Sequence, residues 1–236
     1  MGEPLLSLKS HMAVSVSRQS LQKYPQKVVL IGDSLVYGFG DAEGGGWADR
    51  LRRRWMDPDN PGPILYNLGV RGDTVQQVTQ RLENEFRLRG ELRRQLPDRL
   101  VLSVGLNDTA RIGRVSGRLM TDEPHFRQHI ADLLDRARQL CEVYFVGMVP
   151  VNEGAMPYAD MLYFSRLDQV RYKEITRQAC AERDIPYMDV YHRWASKGEG
   201  WCNARLCRDG IHPNALGHQT LLADISSWAP LAGVLV

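Results

Sequence analysis

Short apolar runs alternate along the chain with longer segments whose apolar residues recur at helical spacing. Five of the runs have the length of strands, and the first four are almost continuously apolar, as strands buried on both faces are. The predicted strands cover residues 27–31, 64–68, 100–104, 143–148 and 186–190. This alternation of strands and helices predicts a parallel sheet with helices on both faces.

The segments between the predicted strands place their apolar residues on one helical face. The clearest stripes are Val75, Val78, Leu82 and Phe86, and Ile130, Leu133, Leu134, Ala137 and Leu140. We interpret these stripes as core. Either Asp73 or Thr74 is suited to cap the first helix, and Pro213 is suited to the first position of the last one, where its missing N–H costs nothing.

Three segments fit neither a strand nor a helix: residues 38–46, 109–121 and 149–164. Each follows a predicted strand or lies close after one. In an open α/β sheet the ligand crevice lies beyond the carboxyl ends of the strands, and long loops in a compact domain tend to be functional. We therefore expect these loops to border the binding site.

Composition and charge narrow the class of protein. With 236 residues, 43% hydrophobic and 25% charged, the chain has ordinary globular usage, which predicts a single domain over residues 25–230. An N-terminal extension of residues 1–20 precedes it, and the His11-Met12 junction there resembles a cloning scar. A net charge of +2 gives no reason to expect a nucleic acid or an anionic membrane as partner. Residues 1–19 lack the apolar stretch of a signal peptide, and no run of about 18 apolar residues occurs, so we expect a cytoplasmic protein without a membrane span.

Nothing in the sequence predicts a metal or a cofactor. The four cysteines are few for this length, so reduced thiols are expected, and their spacing matches no zinc site. They are Cys141, Cys180, Cys202 and Cys207. His125 and His129 have the spacing of a zinc-binding pair, but Phe126 stands where a metalloprotease carries its glutamate. The glycines of residues 38–46 lack the register and the lysine of a nucleotide-binding loop.

The strongest chemical signal is a serine directly after the first predicted strand. The chain reads Gly32-Asp33-Ser34-Leu35, which places a hydroxyl at the carboxyl end of the strand. Val36 rules out the G-x-S-x-G elbow of α/β-hydrolases. A serine needs a base within hydrogen-bonding distance and a group that orients the base. Asp209 and His212, three residues apart near the C-terminus, supply both residue types, although the same residues also occur as turn formers and helix caps.

Acyl transfer also needs hydrogen-bond donors for the oxyanion. Residues 67–74 follow the second strand and contain Gly72, whose backbone N–H has no side chain in front of it. Residues 105–108 follow the third strand and contain the side-chain amide of Asn107. A turn glycine and an Asx-turn are common alternatives for these two residues. Because all these polar strand endings meet at one edge of a parallel sheet, the sequence predicts a shared crevice.

These four blocks, in this order, resemble the SGNH or GDSL hydrolases. The resemblance covers residues 27–228 and implies a three-layer α/β/α sandwich with a five-stranded parallel sheet, similar to flavodoxin. It implies that Ser34 is the nucleophile, that His212 is the general base and that Asp209 orients the imidazole. It further implies that the backbone N–H of Ser34, the N–H of Gly72 and the amide of Asn107 form the oxyanion hole.

Gly69 lies in the same loop as Gly72 and is the alternative donor glycine. The function expected from the resemblance is hydrolysis of carboxylic esters of small or short-acyl substrates through an acyl-enzyme, without metal or cofactor. Two alternatives remain open: an acyltransferase with the same triad, and a non-catalytic flavodoxin-like binding module. The sequence does not define the oligomeric state.

Two loops bear on the substrate. Residues 149–164 are rich in apolar side chains that are suited to an acyl or aryl group or to helix packing. They are Met156, Tyr158, Met161, Leu162, Tyr163 and Phe164. Residues 109–121 carry Arg111, Arg114 and Arg118, which would favour an acidic substrate if they faced the crevice.

Overall fold

The computed structural model describes residues 25–59, 62–90 and 96–235. The predicted N-terminal extension of residues 1–20 lies outside the described residues. The main sheet consists of β1 (Lys27–Gly32), β2 (Ile64–Gly69), β3 (Arg99–Ser103), β5 (Glu142–Val146) and β7 (Tyr187–Met188). All neighbouring strands pair in parallel, in the order β2-β1-β3-β5-β7. This is the strand order of a flavodoxin-like sheet and confirms the predicted architecture.

Helices cover both faces of this sheet. They are α1 (Ser34–Tyr37), α2 (Gly46–Trp55), α3 (Val75–Arg87), α4 (Glu123–Arg138), α5 (Arg166–Ala181), α6 (Val190–Ala195), α7 (Glu199–Asn203), α8 (Ala215–Ser226) and α9 (Ala229–Leu235). Successive residues of β1 alternate between two hydrophobic clusters. Val28 and Leu30 pack with α2 and α8, whereas Val29 and Ile31 pack with α3 and α4. The strand is therefore buried on both faces, which explains its continuous apolar sequence.

The apolar stripes of two helices form the core, as predicted. Every stripe residue of α3 is buried, and so is every stripe residue of α4 up to Ala137, while Leu140 follows the end of that helix and is partly buried. Thr74 caps α3, since its backbone N–H and its hydroxyl both donate to Oε1 of Gln77, at 2.8 and 2.9 Å. Asp73 does not cap this helix.

Pro213 does not begin the last helix, so that prediction is wrong. Helix α8 begins two residues later, at Ala215, because the side chain of Asn214 accepts a hydrogen bond from the N–H of Gly217 at 3.0 Å and caps the helix. A polar cap of this kind fixes the start of a helix more strongly than a proline before it. Helix α9 then follows α8 in the chain.

The fifth strand is shorter than predicted. Only Tyr187–Met188 pair with β5, whereas residues 186–190 were expected to be extended. Asp189 ends the strand, because its side chain accepts a hydrogen bond from the N–H of His192 at 2.9 Å and starts α6. A capping carboxylate directly after an apolar pair therefore converts the end of this run into helix.

Two of the predicted loops meet in a small second sheet. β4 (Arg111–Ile112) pairs antiparallel with β6 (Leu162–Tyr163), so the expectation that residues 109–121 and 149–164 contain no strand is wrong. A third hydrophobic cluster includes Ala110 and Phe164, which both adjoin the Arg111–Tyr163 end of this pair. Ile211, which precedes the predicted catalytic histidine, belongs to the same cluster. The strand pair therefore borders the predicted crevice.

Candidate active site

Ser34 is the first residue of a helix that begins immediately after the central strand β1. The turn requires glycine at position 32, because a Cβ there would lie 1.9 Å from the carbonyl oxygen of Ser103 on β3. Asp33 caps α1, with Oδ1 accepting a hydrogen bond from the N–H of Leu35 at 2.9 Å. Ser34 is only 6% exposed, so its hydroxyl lies at the base of a cleft rather than on an open surface.

A chain of hydrogen bonds joins three of the predicted residues. The Oγ atom of Ser34 lies 2.9 Å from Nε2 of His212. The Nδ1 atom of His212 lies 2.7 Å from Oδ2 of Asp209. Ser34 and His212 are 178 positions apart in the sequence. These distances are those of a nucleophile, a base and the group that orients the base.

The carboxylate of Asp209 is fixed by the backbone of its own loop. Its Oδ1 atom accepts hydrogen bonds from the N–H groups of Ile211, at 2.9 Å, and His212, at 3.0 Å. Burial alone would raise the pKa of Asp209, but the hydrogen bonds from the His212 ring and from these two N–H groups hold it below its ordinary value. Asp209 therefore stays ionised and opposite the imidazole.

Gly72 and Asn107 line the same cleft as Ser34 and His212. Within the described part of the chain, neither the N–H of Ser34 nor that of Gly72 donates a hydrogen bond to another backbone or side chain. The Nδ2 group of Asn107 donates to the carbonyl oxygen of Asp73 at 2.9 Å, which fixes the amide and leaves one of its two N–H donors. The cleft thus brings together three donors that are suited to an oxyanion.

The geometry distinguishes the two candidate glycines. The N–H of Gly69 donates to Oδ1 of Asn67 at 3.1 Å, so it is already used within β2. A Cβ at Gly69 would also lie 2.1 Å from the backbone nitrogen of Tyr37, which makes this a close-packing glycine. Gly72 has a φ of 85° and open space around its Cα. Gly72 is therefore the glycine with a donor free for the cleft.

Buried carboxyl groups hold the loops around the site. Oδ2 of Asp108 accepts a hydrogen bond from the N–H of Val75 at 3.0 Å, and its Oδ1 accepts one from the hydroxyl of Thr121 at 2.7 Å. Burial raises the pKa of Asp108 to about 6 and, with the nearby charges of Asp108 and Asp73, the pKa of Asp33 to about 7. The hydrogen bonds of Asp33 and Asp108 therefore hold together the backbone segments that surround the cleft.

The cleft has a volume of ≈ 520 Å³ and two chemically different walls. One wall is polar and carries Arg71, Thr74 and Gln77. The rest of the lining is largely apolar, and its apolar side chains are Ala110, Met120, Tyr158, Leu162, Phe164 and Ile211. The predicted apolar loop of residues 149–164 therefore contributes three of its members to the cleft, while Met161 is exposed and Met156 packs on the third hydrophobic cluster.

Two aromatic rings contact the imidazole of His212. The ring of Phe39 meets it edge to face at a centroid distance of 4.6 Å, and the ring of Tyr158 does so at 5.8 Å. The guanidinium of Arg71 lies over the ring of Phe39, 3.7 Å from the ring centroid. Such contacts restrict the orientation of the imidazole.

The predicted cationic loop does not face the cleft. Arg111 makes a bidentate ion pair with the buried carboxylate of Asp168, at 2.6 and 2.9 Å, so it anchors the loop instead. Arg114 and Arg118 are exposed, and neither lines the cleft. Arg71 does line it, and sequence reasoning missed this residue. Its position directly before the donor glycine is the signal that would have identified it.

We also searched the described residues for metal ligands, disulfides and membrane-spanning helices. No group of three or more histidines, cysteines and carboxylates within the described ranges is placed to hold a metal ion. The four cysteines are unpaired thiols. Among the described helices, none is long and apolar enough to cross a bilayer.

Several solved structures share this fold. A lipase/acylhydrolase from Enterococcus faecalis superimposes with a TM-score of 0.69 at 21% identity, over 88% of this chain and 96% of that protein. The psychrotrophic esterase EstA from Pseudoalteromonas sp., in a structure inhibited by monoethylphosphonate, gives a TM-score of 0.63 at 14% identity over 87% and 97% of the two chains. A variant of Axe2, an acetyl xylan esterase from Geobacillus stearothermophilus, gives 0.62 at 18% identity over 89% and 94%. Identities this low show a common fold alone.

Sequence comparison identifies the family, which the shared fold alone does not. No curated protein sequence matches the chain. The sequence profile of the GDSL-like lipase/acylhydrolase family matches residues 30–220, a range that contains every residue predicted for the site. Because this match extends over most of the sequence, the chain belongs to the GDSL-like lipase/acylhydrolase family.

Proposed function

We propose that this protein hydrolyses carboxylic esters through an acyl-enzyme formed on Ser34. The observation that carries the proposal is the pair of hydrogen bonds from Ser34 Oγ to His212 Nε2, at 2.9 Å, and from His212 Nδ1 to Asp209 Oδ2, at 2.7 Å. A serine hydroxyl is a weak nucleophile until a base takes its proton. The geometry provides that base without movement of the backbone.

Acylation begins when Ser34 Oγ attacks the ester carbonyl carbon and its proton passes to Nε2 of His212. The carbonyl π bond breaks and its electron pair becomes the oxyanion. The N–H groups of Ser34 and Gly72 and the amide of Asn107 then donate to this oxygen. When the tetrahedral intermediate collapses, the C–O bond to the alcohol breaks and Nε2 returns the proton to the leaving oxygen.

Deacylation repeats these steps with water. His212 takes a proton from the water as its oxygen attacks the acyl carbon, and the same three donors hold the second oxyanion. The bond from the acyl carbon to Ser34 Oγ then breaks, and Oγ regains the proton from Nε2. The carboxylic acid leaves, and the enzyme returns to its starting state.

Asp209 supports both steps through the tautomer of His212. An ionised carboxylate only accepts hydrogen bonds, so the proton of the neutral ring lies on Nδ1 and the lone pair on Nε2. The lowered pKa of Asp209 keeps the carboxylate ionised. The same charge stabilises the imidazolium that forms when the ring takes the second proton.

The shape of the cleft supports a small substrate. It is bounded by loops at the surface of the sheet edge, and its volume of ≈ 520 Å³ is that of a site for a small molecule. The apolar wall with Tyr158, Leu162 and Phe164 is suited to a short acyl group. Short-acyl esters are therefore the substrate class that we assign to this site.

The experiment that tests the proposal compares ester hydrolysis by the wild type and by Ser34→Ala. The expected result is a loss of about 10⁶-fold in kcat, because the nucleophile is removed while the fold is kept. The exposed Ser196→Ala variant is the matched control and keeps full activity. Turnover that persists in Ser34→Ala, with a melting curve like that of the wild type, contradicts the proposal. Product analysis with added alcohol acceptors separates hydrolysis from acyl transfer.

A further inference from the structure

The polar wall of the cleft presents hydrogen-bond donors. Among the described residues that line the cleft, Arg71 is the only arginine or lysine, and none is an aspartate or a glutamate. In the described chain, Arg71 makes no ion pair; its guanidinium packs 3.7 Å over the ring of Phe39. The carboxylate nearest in sequence, that of Asp73, is bound by Arg81 at 2.7 Å. The cation at the cleft is therefore available to a substrate.

The side-chain amide of Gln77 adds further donors to this wall. Its Oε1 atom accepts two hydrogen bonds from Thr74, from the backbone N–H and from the hydroxyl. These bonds fix the orientation of the amide and leave its NH2 group, which has two donors. Gln77 and Arg71 both line the cleft. Donor groups with a net positive charge in one cleft form the chemistry that binds an anion.

The contact with Phe39 pre-orients Arg71. An arginine that stacks on an aromatic ring loses less conformational entropy when it binds a ligand than one that is free in solvent. Phe39 in turn packs edge to face on His212, at 4.6 Å. The ring of Phe39 therefore contacts both the guanidinium and the imidazole, so the cation lies close to the proposed catalytic base.

We propose that this cleft selects esters with an anionic group on one side of the ester bond and a short apolar group on the other, and that Arg71 binds the anion. The inference rests on the proposed function, because it assigns a substrate class to the same site. The anion belongs either to the acyl part or to the alcohol part. In both cases Arg71, with the NH2 group of Gln77 beside it, supplies the donors.

The test measures kcat/KM for two pairs of esters whose members differ in charge. The phenyl monoester of glutarate and phenyl valerate place the anion, or no anion, in the acyl part. In the second pair the difference lies in the alcohol part, where para-acetoxybenzoate carries the anion and para-acetoxybenzamide is neutral. We expect the wild type to prefer the anionic member of one pair, and we expect this preference to fall as the NaCl concentration rises. The pair that shows the preference identifies the side of the ester bond.

Variants of Arg71 assign the preference to its guanidinium. Arg71→Gln is expected to lower kcat/KM for the preferred anionic ester, relative to its neutral partner, by about 10- to 100-fold, the value of a hydrogen bond to a charged group. Arg71→Lys keeps the charge and is expected to retain part of the preference. Arg114→Gln removes an exposed charge that does not line the cleft and leaves the preference unchanged.

Two results would overturn the inference. One is a wild type that does not distinguish the members of either pair, and the other is an Arg71→Gln variant that loses activity equally on anionic and neutral esters. If the wild type hydrolyses none of the four compounds, the proposed function fails. Calorimetric binding of para-acetoxybenzoate and para-acetoxybenzamide to Ser34→Ala then tests the anion site separately. Tighter binding of the anion supports the inference, and equal binding contradicts it.

Discussion

At the scale of single residues, the carboxyl group of Asp33, directly before Ser34, is buried where its ionisation costs free energy. It is 3% exposed, and its side chain caps the helix that presents Ser34. Burial, together with the charges of Asp108 and Asp73, raises the pKa of Asp33 to about 7 against the hydrogen bond from Leu35. The helix needs a capping oxygen at this position, but burying an ionised carboxylate there costs free energy of folding.

This conflict makes the stability of the protein depend on pH. Because the pKa of Asp33 is higher in the folded than in the unfolded state, folding takes up a proton between the two values. The contribution of Asp33 to stability is therefore present below the ordinary carboxyl pKa and is lost as the pH rises through about 7. Asp33→Asn keeps the capping oxygen but does not titrate.

The free energy of unfolding of Asp33→Asn relative to the wild type is expected to rise by about 2–3 kcal/mol between about pH 5 and pH 8. Urea unfolding of both proteins at the two pH values measures it. The comparison removes the titrations that the two proteins share and that do not interact with Asp33. A difference that stays constant with pH would show that Asp33 is ionised throughout this range.

At the scale of elements, Arg81 on α3 joins the ends of two strands. Its guanidinium donates to the carbonyl oxygens of Gly32, at 2.9 Å, and Leu68, at 3.0 Å, and to Oδ2 of Asp73, at 2.7 Å. Gly32 precedes the nucleophile by two residues, and Asp73 follows the donor glycine. The fork of one arginine thus sets the distance between two parts of the site.

Arg81→Lys keeps the positive charge but loses the planar guanidinium that donates to several acceptors at once. We expect the free energy of unfolding to fall by about 2–3 kcal/mol, because buried acceptors lose their donors. We also expect kcat to fall about tenfold with a smaller change in KM, since the oxyanion donors shift relative to Ser34. Denaturant unfolding and ester kinetics measure the two effects.

The matched control lies on the same helix. Arg87→Lys replaces an exposed arginine that pairs with Glu83 and is expected to change the stability by less than about 0.5 kcal/mol. If Arg81→Lys is as active as the wild type, the strand ends keep their positions without the fork. Arg81 would then contribute to stability alone.

The sequence predicted the elements that depend on local pattern and missed those that depend on distant partners. Ser34, Gly72 and Asn107 line one cleft, as expected for residues at the carboxyl ends of parallel strands. The pairing of β4 with β6 was not predictable, because strands of two residues carry no periodic signal. The loop position of Arg71 likewise has no pattern, so its contact with Phe39 required the structure.

At the scale of the whole molecule, the sheet brings together groups that are far apart in the chain. Ser34, Gly72 and Asn107 follow β1, β2 and β3, and His212 lies between α7 and α8. Two loops joined by the pair β4 and β6 then limit the length of the cleft. The architecture therefore supports both the proposed chemistry and the proposed size of the substrate.

Cleft size leads to a prediction on acyl-chain length. With para-nitrophenyl esters of increasing length, kcat/KM is expected to be highest for acetyl to butyryl groups and to fall for long chains, because a cleft of ≈ 520 Å³ between surface loops has no tunnel for them. Initial rates below the solubility limit of each ester give the profile. A maximum at long-chain esters would mean that the loops open into a larger acyl site.

The measurement that most directly tests the central claim is labelling by a fluorophosphonate, with the modified residue identified by mass spectrometry. An activated serine displaces fluoride and forms a phosphonyl ester, whereas an ordinary serine does not react. We predict a single adduct on Ser34 that is absent in Ser34→Ala and forms far more slowly in His212→Ala. An intact, folded protein that remains unlabelled, or that is labelled at another serine, would contradict the account.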